Sequence, residues 1–95
     1  MPHYLVGQIT VKNETLWQEY ILGVQKSLLN FEAEIIFRGK SSSVLAGKNN
    51  KELIVVVKFS DKTTLDAWFN SKKYQSIIAT RDAAADVVIT CYDEY

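Results

Sequence analysis

One cysteine and one histidine among 95 residues remove whole classes of chemistry from this chain. Cys91 has no second cysteine to pair with, so an internal disulfide and any multi-cysteine metal site are excluded. His3 is the only imidazole, and a zinc site built from this chain's own side chains is not expected. Net charge is missing too. Eleven Lys and Arg balance eleven Asp and Glu, whereas a nucleic-acid binder needs a basic face to displace phosphate counterions. No apolar run approaches the ~20 residues of a membrane-spanning helix. Met1-Pro2-His3-Tyr4 lacks the basic leader and apolar core of an export signal, so the expected location is the cytoplasm. No paired acid and base, phosphate-binding loop, nucleophile elbow or metal cluster is visible, and no cofactor is expected.

What is present is the composition of a globular protein, with 47% hydrophobic residues. The length suits one domain over residues 1–95, which buries roughly 60–70% of the surface of the unfolded chain. Residues 4–11 alternate as a strand, Leu5, Gly7, Ile9 and Val11 on one side and Tyr4, Val6, Gln8 and Thr10 on the other. Asn13 is placed to cap a helix with Glu14 in its first turn. Trp17, Tyr20, Ile21, Val24, Leu28 and Phe31 then repeat as one apolar stripe. Gly23 inside that helix costs about 1 kcal/mol against alanine and leaves room for another element to approach.

Residues 33–38 form a second strand, followed by a polar connection over 39–52 that is long for a small domain. The Val44-Leu45 pair within it favours a short hairpin excursion. Leu53 to Phe59 is almost continuously apolar, which points to a strand buried on both faces at the centre of a sheet. Asp61 caps the next helix, in which Leu65, Trp68 and Phe69 share a face. At Asn70-Ser71 the pattern breaks, and Ser71 starts a new turn carrying Tyr74, Ile77, Ile78 and Arg81, so the second helix is bent or doubled. Residues 87–92 make the fourth strand.

The order βαββαβ is that of the ferredoxin-like α+β fold, a four-stranded antiparallel sheet with two helices on one face. Leu5, Ile9, Ile35, Phe37, Val57, Phe59 and Cys91 are expected under the helices. The opposite face then holds Tyr4, Val6, Ile36, Ile54, Val56, Val88 and Tyr92, a large apolar patch for a monomer. A two-fold homodimer packing open face to open face removes it from water.

Arg38-Gly39, Leu45-Ala46-Gly47, the strand ending at Phe59, and above all Ala67-Trp68-Phe69-Asn70-Ser71-Lys72-Lys73-Tyr74-Gln75 leading to Arg81 resemble the small bacterial proteins grouped as domain of unknown function 1330, in the dimeric α+β barrel superfamily. The resemblance covers nearly the whole chain and implies a homodimer with a pocket between each sheet and its helices. Departures fall at Glu32-Ala33 and Lys40, where the family commonly has glycine, at Ala46 in place of a frequent acidic residue, and at Lys72-Lys73 in place of its usual Pro-Glu pair.

Each candidate ligand residue carries a structural alternative. Arg81 can hold a carboxylate, or serve helix carbonyls and pair with Asp82 or Asp86. Tyr74 can donate to a ligand or find a structural partner, and Tyr20 adds a second hydroxyl from the first helix. Trp68 and Trp17 can stack on a flat ligand or simply fill the core. Arg38 with Lys40 can form an anion site at the end of the second strand. His3 suits general-base work by its ordinary pKa but has no mapped partner. Cys91 between Thr90 and Tyr92 reads as a packed core thiol rather than a nucleophile. The expected function is binding of a small acidic or aromatic molecule; the alternative is a cofactor-independent enzyme, monooxygenase-like or isomerase-like, acting on an aromatic or lactone-like metabolite.

Overall fold

A computed structural model describes all 95 residues. The elements are β1 (His3–Val11), α1 (Glu14–Leu28), β2 (Ala33–Lys40), β3 (Leu53–Phe59), α2 (Lys62–Phe69), α3 (Lys72–Gln75), α4 (Ile78–Ala84) and β4 (Ala85–Asp93). The four strands form one antiparallel sheet in the order β2-β3-β1-β4, the expected α+β architecture, with the second helix divided into three short pieces. No helix is long and apolar enough to cross a membrane.

Local chemistry sets the helix ends. The Asn13 carboxamide accepts from the backbone N–H of Leu16 at 3.1 Å, and Asp61 does the same for Thr64 at 2.7 Å. Ser71 Oγ stops α2 by donating to the Trp68 carbonyl at 2.6 Å and starts α3 by accepting from the Tyr74 N–H at 3.3 Å. One hydroxyl thus serves as both stop and start, and it fixes Trp68 and Tyr74 relative to each other. Their rings lie 4.3 Å apart, centroid to centroid.

The molecule is a slab of 35 × 34 × 16 Å, one sheet thick plus one helical layer. Its core, Leu5, Ile9, Val57, Phe59, Leu65, Trp17, Trp68, Tyr20 and Tyr74 among others, lies between the two. Helix α1 leans on α4 and α3. Gly23 makes that approach possible: a Cβ there would stand 2.9 Å from Ile77 Cγ2.

Three expectations are corrected. Residues 41–50 contain no strand and every one is exposed; Leu45 is 95% exposed. The connection is held at its base instead, where Ser41 N–H donates to the Glu52 carbonyl, Glu52 N–H to the Ile9 carbonyl and Thr10 Oγ1 to the Asn50 carbonyl. Val44 and Leu45 lack a strand to pair with, so their apolar character alone builds no hairpin. Second, β2 carries a bulge: Ile35 pairs with Val57, yet Phe37 pairs with Val56, leaving Ile36 as the extra residue. A one-residue shift exchanges the faces, so Phe37 joins the open face and Arg38, opposite Val55, turns toward the helices. Third, Cys91 is exposed. It pairs with Leu5 but lies on the edge strand β4.

The open face carries Val6, Val56 and Phe37 in one row and Tyr4 and Tyr92 in the next. Phe37, Val88 and Tyr92 are each about half exposed.

Candidate functional site

A cavity of about 470 Å³ lies between the sheet and α1. It exists because the middle of β1 presents no side chain to the helices: Leu5, Gly7 and Ile9 face them, and Gly7 is flanked by Val55, whose Cγ1 would stand 3.0 Å from an added Cβ. Its floor is Leu5, Gly7, Ile9, Val55, Val57 and Ile89, and its roof Trp17, Tyr20, Ile21 and Val24 of α1. Trp68 and Tyr74 close the inner end, both buried, while exposed Gln25, Arg38 and Lys40 line the wall on the β2 side. The volume and the dominance of apolar lining suit a small organic ligand.

The inner end is rigid and aromatic. Tyr74 is fully buried and packs on Trp68, Phe69 and Tyr20. Trp68 Nε1 donates to Ser27 Oγ at 2.8 Å, and Ser27 Oγ donates to the Val24 carbonyl at 2.7 Å, so the indole N–H is used structurally. The Tyr20 and Tyr74 hydroxyls are 2.9 Å apart. Arg81 Nη1 donates to the Tyr74 hydroxyl at 3.0 Å, and its Nε donates to Asp82 Oδ1 at 3.1 Å.

These contacts set the protonation states. Burial, then the adjacent Tyr74 hydroxyl, pushes the Tyr20 phenol well above its ordinary range, so it remains a neutral O–H. Burial alone would lower the Arg81 guanidinium, but its bonds to Tyr74 and Asp82 outweigh that and hold it above its usual value. The Cys91 thiol is raised by desolvation and next by the Asp66 carboxylate, the reverse of what a nucleophile needs.

Of the six residues singled out from the sequence, Trp68, Tyr74, Tyr20 and Arg38 line the cavity. Arg81 stands behind the Tyr74 hydroxyl rather than in the cavity wall, and lines a smaller hollow of about 320 Å³ with Asp66, Phe69 and Cys91. His3 lies elsewhere, buried at the far end of β1 beside Phe59, with Nδ1 3.0 Å from the Asp93 carboxylate. Gly7, Gln25 and Ser27 complete the site without standing out in the sequence pattern. The signal for Gly7 was available, since a glycine between Leu5 and Ile9 on the covered face of a strand marks a missing wall.

A sheet ordered β2-β3-β1-β4 with helices on one face, a cavity between them and an aromatic pair held by arginine define a ferredoxin-like α+β protein. The chain belongs to the family described as Domain of unknown function (DUF1330), whose model matches residues 2–95. Solved structures share the fold at low identity. A protein of unknown function from Rhodopseudomonas palustris, RPA0582, superposes with TM-score 0.86 at 9% identity, over 99% of this chain and 82% of that one. A dimeric ferredoxin-like protein of unknown function from Thermobifida fusca gives 0.70 at 13%, over 99% and 92%. SnoaB, a cofactor-independent oxygenase from Streptomyces nogalater, gives 0.68 at 7%, over 99% and 93%. No curated protein matches the chain.

Proposed function

We propose that this protein is a cytoplasmic homodimer, one domain per chain, that binds a small acidic or aromatic molecule in the cavity between its sheet and α1. The cavity itself carries the reading: an apolar hollow of about 470 Å³ with buried hydroxyls at one end and the cations of Arg38 and Lys40 in its wall. No carboxylate lines it, so an anionic ligand meets no like charge in its wall. Trp68 and Trp17 supply stacking surface and Tyr20 and Tyr74 the polar contact, with Arg81 acting behind them. His3, away from the cavity, has no part in this reading.

Support for the dimer comes from the open face, where Val6, Val56, Phe37 and Val88 form an apolar surface, and from a fold neighbour described as dimeric. Thermal unfolding with a panel of aromatic acids tests the binding. A true ligand at a hundredfold excess over its Kd stabilises by about 2.7 kcal/mol. A panel that includes 2-naphthoate and leaves the midpoint unmoved throughout counts against the cavity as a site.

A second reading, a cofactor-independent enzyme acting on an aromatic or lactone-like metabolite, draws on the phenol pair in the cavity wall and on the oxygenase among the fold neighbours. Product formation without added cofactor, lost in Tyr74→Phe, separates it from binding alone.

A further inference from the structure

Two phenols and one arginine at the inner end of the cavity leave one proton over. Arg81 is a donor only, and its Nη1 points at the Tyr74 oxygen. Tyr20 and Tyr74 each own one hydroxyl proton, but a single hydrogen bond joins their oxygens, so only one of the two protons fits between them. The Arg81 guanidinium also acts weakly on the Tyr20 oxygen, and it too can only donate, so it offers the Tyr20 proton no acceptor. Tyr74 is completely enclosed, and an unmatched proton there would carry the full desolvation cost. If Tyr74 donates to Tyr20, its oxygen is matched by Arg81 and its proton by Tyr20. The surplus then sits on Tyr20, a residue of the cavity wall that is slightly less enclosed than Tyr74.

We infer that the Tyr20 hydroxyl is a hydrogen-bond donor directed into the cavity, oriented through Tyr74 by Arg81, and that the ligand carries an oxygen acceptor, a carbonyl or carboxylate, on an otherwise apolar body. The inference rests on the cavity being a ligand site and adds the sign and position of its inner polar contact. The chain of donors, Arg81 to Tyr74 to Tyr20 to ligand, polarises each successive O–H and strengthens the last bond. It also selects: a ligand that presents only an N–H donor at this end, such as an ammonium or a pyrrole-type N–H, meets another donor and is rejected, whereas a hydroxyl can still accept through its oxygen.

The test compares two probes of one shape, 2-acetylnaphthalene and 2-ethylnaphthalene, on the wild-type protein and on Tyr20→Phe. Isothermal titration is expected to show the ketone losing about three- to tenfold in affinity in Tyr20→Phe while the hydrocarbon is unchanged, the loss of one hydrogen bond. In the infrared, the bound ketone's C=O stretch should fall to lower wavenumber in the wild type and return in Tyr20→Phe. A ketone that binds the wild type with an unshifted C=O stretch, or equal effects of the substitution on both probes, overturns the donor while leaving the cavity reading intact. Binding of neither probe overturns both.

Discussion

Replacing Tyr74 by phenylalanine removes one oxygen that two residues share. The ring keeps its packing against Trp68 and Phe69, so the change is confined to hydrogen bonding. Arg81 Nη1 loses its acceptor at 3.0 Å and Tyr20 loses its neighbour at 2.9 Å. A charge-assisted bond contributes about 1.5–3 kcal/mol and a neutral one about 0.5–1.5 kcal/mol. Arg81 is partly exposed and water recovers some of its bonding, so the lower part of each range applies, about 2–3 kcal/mol in total. For a chain of this size 1 kcal/mol moves the midpoint by roughly 4–8 °C, which predicts a fall of about 10–20 °C. Tyr20→Phe removes the phenol–phenol bond and leaves the enclosed Tyr74 proton without an acceptor, so it should cost about 1–3 kcal/mol. Urea unfolding of both variants and of the double variant, at one fixed protein concentration, completes a cycle. The double variant should cost about 1 kcal/mol less than the sum. Strict additivity would refute the shared-oxygen geometry.

On the open face, Val56→Lys should give monomers or aggregates in sedimentation; a dimer of wild-type stability would remove the case for face-to-face association. Gly23→Val places a Cβ 2.9 Å from Ile77 Cγ2 and should destabilise by about 1–3 kcal/mol, despite the better helix propensity, with partial recovery in Gly23→Val/Ile77→Ala as judged by urea midpoints. Asp61, held below its usual carboxylate pKa by the Thr64 N–H and hydroxyl, should contribute stability that is complete above the ordinary carboxylate pKa and disappears as pH falls through its depressed folded value. The stability gap between wild type and Asp61→Asn, followed by urea unfolding from pH 7 downward, should therefore shrink in acid; a gap independent of pH would contradict this.

The strand and helix order was legible because each element has an unambiguous period or a capping side chain, Asn13, Asp61 and Ser71 among them. The bulge was not. Ile35, Ile36 and Phe37 are all apolar, so alternation offers no sign of which one is extra, and the reversal that brings Arg38 to the cavity follows from hydrogen bonding across β3. The motif around Trp68, Tyr74 and Arg81 marked a cluster correctly but could not tell that Trp68 spends its N–H on Ser27, 41 positions away. That distant partner is invisible to any local pattern. His3 looked available because the pairing of β1 with β4, which brings Asp93 beside it, is a tertiary fact.

The most direct measurement is an amide chemical-shift titration of the wild-type protein with 2-acetylnaphthalene. The expected shifts fall on Gly7, Val24, Trp68 and Tyr74, the walls of the cavity. Shifts confined to Val6, Val56 and Val88 on the other side of the sheet, or none at saturating probe, would contradict a binding site between the sheet and α1.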